Sequence, residues 1–373
     1  MKRKLKKKNN IFVDTKKKPV MRIKYCLFFL LLFSFSKLSA QEDPLFTFFP
    51  WMHSFFNPGA MGEKEHHLNF TGILRQQSML NHEKENPNSL DGGNDNNSTG
   101  NPDKPVKYMQ DVQEVLLNID SYIKQIRGTV GVTFLKDRIG YFDNIGFKIG
   151  YATKFRVRGG KLGVGLQLGF LNITPATDKF NPTQTDDPTI ANVKQSESTM
   201  DFDMGFGLHY RTPKWYVGLS GTQLLGGIRI SGESNSFSPP TQLYFTGGYI
   251  WDLKTPIPWS IEPHILIQTN LANWRFGVMA LARYNGILWF GASVQNMGVA
   301  VLFGAVPFYN YGNEYLKGLE IGVGYTFATT KFSYVREGGF GDFELVVRYG
   351  FNLYKEKALS GYGSSRHLYK NQY

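Results

Sequence analysis

Over residues 128–170 the chain alternates large apolar residues with small or polar ones, in runs longer than most folds accommodate. In residues 161–170, Leu162, Val164, Leu166, Leu168 and Phe170 alternate with Gly163, Gly165, Gln167 and Gly169. Side chains on a strand point to opposite faces in turn, so one face is apolar and the other nearly bare, whereas a helix would scatter both sets around its circumference. The preceding run sets Ile145, Phe147, Ile149 and Tyr151 against Gly146, Lys148, Gly150 and Ala152, and the one before sets Val130, Val132 and Phe134 against Thr129, Gly131 and Thr133. Half-buried soluble strands alternate over roughly 4–8 residues; these runs reach about 9–11, the length a tilted strand needs to cross a bilayer.

The same rule places strands at residues 67–76, 112–120, 128–136, 144–153, 161–171, 199–211, 214–222, 242–252, 259–268, 274–284, 287–295, 300–306, 318–326 and 341–353. The connections support this count. Those at 77–111, 172–198, 223–241 and 327–340 are long and all follow odd-numbered strands, while Thr212-Pro213, Asn285-Gly286 and residues 253–258 make tight turns on the other side. Long loops on one side and short periplasmic turns on the other are the habit of outer-membrane barrels, and Asn-Gly is a favoured hairpin pair. Residues 307–317, a medium loop on the short side, depart from the pattern. The expected fold is therefore all-β: an antiparallel transmembrane outer-membrane β-barrel of about 14 strands over residues 67–353, followed by a polar tail, 354–373.

Charge and leader fit this location. The formal charge of +12 suggests nucleic acid or an anionic surface, but residues 1–40 hold 12 of the 42 Lys and Arg and one of the 30 acidic residues, leaving 30 against 29 beyond. A basic stretch, an apolar run over residues 25–35 and Ser39-Ala40 before Gln41 read as a signal peptide with an extended basic start, cleaved after Ala40. The apolar run is too short to span a membrane. The one Cys, Cys26, lies in the leader, which leaves the mature chain without a disulfide, thiolate metal site or cysteine nucleophile.

Motifs that could carry chemistry read better as barrel features. Gly163-Val164-Gly165, Gly205-Phe206-Gly207 and Gly322-Val323-Gly324 sit inside strands rather than at a turn opening a helix, so they mark small inward residues and not a nucleotide site. His66, His67 and His209 lack the spacing of a metal site, and the Asn- and Asp-rich stretch 81–107 lacks a calcium-ligand pattern. Inward Lys148, Asp201, Asp203, Glu262, Arg275, Arg283, Glu320 and Arg348 are expected to be the solvated lining of the lumen, with no catalytic arrangement among them. Trp215, Tyr249, Trp251, Trp259, Trp274, Tyr284 and Tyr349 fit an interfacial girdle; without a basic mature chain they do not suggest nucleic acid. No enzyme activity, cofactor or metal is expected.

Residues 41–66 are aromatic and punctuated by Pro44, Pro50 and Pro58, which argue against a helix or a central strand. A periplasmic docking or plug element is expected there. Asp43-Pro44-Leu45-Phe46, Asn57-Pro58-Gly59-Ala60-Met61-Gly62, Arg75-Gln76-Gln77 and Lys136-Asp137-Arg138-Ile139-Gly140 follow one another along the barrel in an order that resembles the PorP/SprF family of Bacteroidetes membrane proteins. The resemblance implies an outer-membrane component of type IX secretion and gliding motility. It implies association with outer-membrane lipid, with periplasmic and outer-membrane parts of that machinery and with secreted adhesins. The alternative is a passive porin. Candidate docking or motif residues are Asp43, Pro44, Phe46, Asn57, Pro58, Gly62, Arg75, Asp137, Arg138 and Gly140.

Overall fold

The computed structural model describes residues 43–62, 67–77, 113–139, 142–175, 198–225, 229–231, 239–253, 256, 258–296, 298–309, 316, 318–328 and 341–352. The barrel strands are β1 (His67–Gln77), β2 (Gln113–Ile123), β3 (Gly128–Ile139), β4 (Phe142–Val157), β5 (Gly160–Pro175), β6 (Thr199–Arg211) and β7 (Trp215–Thr222). They continue with β8 (Gln242–Tyr249, resumed by Trp251–Asp252), β9 (Trp259–Thr269), β10 (Trp274–Tyr284), β11 (Leu288–Gln295), β12 (Gly298–Ala305), β13 (Leu319–Ala328) and β14 (Gly341–Asn352). Each pairs antiparallel with its sequence neighbours, and β14 returns to β1 in register from His67↔Asn352 to Gln77↔Asp342. The result is a closed 14-strand barrel with one extra short strand, Arg229–Ser231, beside β6. Closure satisfies every wall strand on both sides, the condition a sheet must meet to cross lipid.

The expected strands recur with ends shifted by a few residues, except at β4 and β5, which reach 16 residues each. Lys154, Arg156 and Lys161 make this stretch look like loop in sequence, yet alternation persists with Phe155 and Val157 outward. Arg158 at φ 43° and Gly159 at φ 80° close the hairpin, as a two-residue turn with both φ positive does. Asn285 and Gly286 likewise take φ 51° and 68°. We call the barrel end bearing these tight turns the short-turn end, and the opposite end, where the long connections leave β1, β5, β7 and β13, the long-loop end.

The outer face is apolar around the ring: Leu219 is 56% exposed, Leu166 53% and Phe303 52%. On a water-soluble protein such a band would be an aggregation surface; here it is the lipid contact. Trp215, Tyr249, Trp251 and Trp274 are exposed near strand ends, where amphipathic rings meet the headgroups. Leu166→Arg is therefore expected to cost about 2–4 kcal/mol near the midplane. Heat-modifiable gel mobility after refolding into lipid checks it, as a loss of the fast-migrating folded band.

Candidate functional site

A ring of 14 strands encloses more space than its own inward side chains fill, so the lumen must hold water or another part of the chain. It holds residues 43–62. The segment starts near the long-loop end and descends to Gly62 at the short-turn end, the end at which β1 begins. Leu45, Phe46, Phe48, Phe49, Met52, Phe55, Phe56 and Met61 are each 1% exposed or less. The segment threads the barrel from one end to the other. Its prolines do exclude a strand, but they leave room for short helical turns. Phe49–Trp51 and Pro58–Ala60 are 3₁₀ turns with Pro in the first positions, where no N–H is needed, and α1 (His53–Phe56) is one α-turn between them.

Three latches hold the segment. At the long-loop end the Asp43 carboxylate accepts from Tyr244 Oη at 2.6 Å and Gln223 Nε2 at 2.9 Å, and its carbonyl accepts from Arg275 at 2.9 Å. Nearby, Glu344 accepts the Thr47 backbone N–H at 2.9 Å and that of Phe48 at 3.3 Å. Arg75 donates to the Leu45 carbonyl at 3.2 Å while pairing with Glu114 at 3.2 Å and Asp342 at 2.9 Å, with Glu344 at 3.9 Å. One guanidinium thus ties β1, β2 and β14, the closing seam, to the segment.

Midway, Asn57 Nδ2 donates to the Leu208 carbonyl at 2.9 Å and Leu219 at 3.4 Å, and its Oδ1 accepts the Gly59 N–H at 2.9 Å. Asn57 is extended at φ −136°, as the residue before a proline must be. The backbone of Pro58 and Gly59 lies against Gly163, Gly165 and Gly207; a Cβ on Gly59 would come within 2.7 Å of the Gly207 carbonyl and 2.9 Å of Gly163. The Gly-x-Gly stretches of β5 and β6 are the bare wall that admits it. At the short-turn end Gly62 donates to Asp120 Oδ1 at 2.8 Å, and its carbonyl accepts from Lys154 Nζ. On the far wall Trp289 lies across Gly304 and Gly322 in one register row and packs on Trp51 at 4.9 Å between centroids and on Phe48 at 6.1 Å.

The profile of a family described as type IX secretion system membrane protein PorP/SprF matches residues 38–349. The chain belongs to the PorP/SprF family. It is accordingly an outer-membrane barrel of the type IX secretion family, and family and fold are those of a secretion-system barrel rather than an enzyme. No curated protein sequence matches it. Among solved structures, the CymD monoaromatic hydrocarbon channel is 10% identical at TM-score 0.44, covering 82% of this chain and 94% of its own. Acinetobacter baumannii Omp33 is 8% identical at TM-score 0.41, covering 77% and 99%. A Pseudomonas aeruginosa FadL homologue is 10% identical at TM-score 0.41, covering 81% and 94%.

Of the PorP/SprF motif residues, Asp43, Pro44, Phe46, Asn57, Pro58 and Gly62 lie in the luminal segment, and Arg75 on the wall grips it. Asp137 faces inward, buried, and stands opposite Glu114 across β2 and β3. Arg138 is on the other face, paired with Asp143 at 2.5 Å near the long-loop end, away from the segment. Gly140 lies outside the described residues. Glu344, Glu114, Asp342, Asp120, Tyr244 and Lys154 complete the latches and were not singled out from sequence; their inward parity was the signal available. The solvated lining expected there is corrected: Asp201, Asp203 and Glu262 are buried, and Lys148 pairs with Asp203 at 2.9 Å, Arg283 with Glu262 at 3.1 Å and Glu320 at 3.2 Å. The luminal segment excludes water that an open lumen would supply. Among the described residues no group of three His, Cys, Asp or Glu side chains could hold a metal.

Proposed function

We propose that this barrel acts in the assembly or translocation step of the type IX machinery, handling secreted proteins and surface adhesins through protein partners, and is not a passive channel. One observation supports the choice: the lumen through which solutes would pass is occupied by the chain's own residues 43–62, latched at both ends and packed on bare glycines midway. On this reading residues 1–40 are removed on export, and the short-turn mouth faces the periplasmic components. The motif residues Asp43, Asn57, Pro58 and Gly62 hold the plug in its resting position, so a partner reads the segment only where it surfaces at that mouth. Deleting the gene while monitoring secreted cargo and uptake of small hydrophilic solutes is the test. Cargo loss with unchanged permeability is expected, and reduced solute uptake with normal secretion sinks the proposal.

A further inference from the structure

His53 is the only ionisable side chain of the luminal segment after Asp43. It is 5% exposed and packs on rings of the wall, with Tyr216 at 4.6 Å between centroids and His209 at 5.5 Å. Tyr216 itself stacks on His209 at 5.5 Å and on His264 at 5.9 Å, and its Oη lies 2.9 Å from His264 Nδ1. Glycines make room for these rings. Gly248 stands between Tyr216 and His264 in one inward row, where a Cβ would overlap the Tyr216 ring, and Gly218 stands opposite His209 in the next. Imidazoles from the segment, β6 and β9 thus share one buried cluster with a tyrosine of β7.

Cations surround the cluster. Arg211 lies 5.6 Å from the Tyr216 ring centre, Arg348 lines a small cavity together with His53, and Lys154 stands across Gly163 from His209. The carboxylates on this side are engaged. Asp120 lines the same small cavity but accepts from the Gly62 N–H at 2.8 Å, Asn69 at 3.0 Å and Asn118 at 3.2 Å. Glu262 and Glu320 meet Arg283 at 3.1 and 3.2 Å, and Glu320 also meets Arg348 at 3.8 Å. Desolvation, with the guanidinium groups of Arg211 and Arg348, favours neutral His53. Neither ring nitrogen of His209 has a hydrogen-bond partner among the described residues, so a charged imidazole there would lack an acceptor.

We propose that this cluster makes the plug acid-responsive: protons taken up by His53, His209 and His264 drive residues 43–62 out of the lumen and open it. In the latched state a proton would sit in a dry site among cations. On release His53 enters water with the segment, and water filling the vacated lumen reaches the two wall imidazoles, which then titrate near the ordinary value of about 6.5. Protons therefore bind the released state better. Latching is at full strength above pH about 6.5 and weakens below it, the released-to-latched ratio rising up to about tenfold per pH unit for each histidine. If Asp120 swings toward a charged His53 instead, it leaves the Gly62 N–H and opens the short-turn latch. The inference rests on the plug and stands whether or not the secretion reading holds.

Single-channel recording of the purified full-length barrel in planar bilayers, stepped from about pH 7.5 to about pH 4.5, is the test. It is run on wild type and on Asn57→Ala, whose missing latch makes openings frequent enough to count. The open-to-closed ratio should rise about a hundredfold or more across that range, the response of one histidine fully wetted on release. His53→Phe keeps a ring against Tyr216 but takes no proton, and it should lose at least about tenfold of that rise. Adding His209→Gln should lose more. Heat-modifiable mobility after exposure to the acid buffer should stay that of the folded barrel in every variant, which separates plug release from unfolding. A ratio flat with pH in both wild type and Asn57→Ala would overturn the proposal. So would an unchanged rise in the double histidine variant, which would assign the response to carboxylates, or current that appears only with loss of the folded band.

Discussion

Arg75→Leu is expected to lower barrel stability by about 3–5 kcal/mol, the usual cost of removing one partner from a buried ion cluster. Arg75 is 6% exposed, with Glu114, Asp342 and Glu344 around it. Deleting the guanidinium leaves three carboxylates without the cation they share and frees the Leu45 carbonyl as well. Glu344 would keep the Thr47 and Phe48 N–H donors, so the uncompensated charge falls on Glu114 and Asp342. Adding Glu114→Gln and Asp342→Asn to Arg75→Leu should therefore recover most of the loss, because it removes the charge rather than the shape. Arg75→Lys should recover little, since one ammonium cannot reach three carboxylates and a carbonyl in fixed directions. Urea unfolding of the refolded barrel in lipid vesicles measures all three. A single variant within about 1 kcal/mol of wild type would show that solvent reaches the cluster and that it does not hold the seam.

That cluster also marks where sequence reading stops. Period-two alternation states which side of the wall each residue takes, and it placed Leu166 and Gln167 correctly because a strand has only two faces. It says nothing of what fills the lumen. Inward Asp203 and Glu262 therefore looked solvated, when a segment more than a hundred residues earlier in the chain covers them. Pairing is equally hidden: Arg75 meets Glu114 across 39 residues and Asp342 across 267, separations fixed by barrel closure and by no local pattern. The prolines of residues 43–62 denied a strand, and the aromatics demanded burial, which narrowed the choice to a partner surface or the lumen. The glycines that decide it, Gly163, Gly165 and Gly207, carry that meaning only once Pro58 and Gly59 are seen against them. Arg138, chosen for its motif, has the outward parity that sequence already assigned to Val130, Val132 and Phe134 of the same strand.

Gly62→Val should release the plug without unfolding the barrel. Gly62 takes φ +65°, a conformation that costs an L-residue roughly 1–2 kcal/mol, and more when its side chain is branched at Cβ. An added Cβ would also overlap the Thr129 hydroxyl. The substitution therefore displaces the backbone whose N–H meets Asp120 and whose carbonyl meets Lys154, opening the short-turn latch while β1 to β14 keep their ladders. Asn57→Ala in the same chain removes the grip on the Leu208 and Leu219 carbonyls, so the segment loses two of its three latches. Residues 43–62 contain no Lys or Arg but many aromatic residues, so trypsin is blind to them and chymotrypsin is not. In the folded wild type they should survive chymotrypsin and the barrel should pass little current in a planar bilayer. In the double variant, chymotryptic peptides from residues 43–62 should appear at unchanged heat-modifiable mobility, with stepwise conductance through the vacated lumen. A variant that stays folded, protected and non-conducting would mean that the Asp43 and Glu344 latches alone hold the segment.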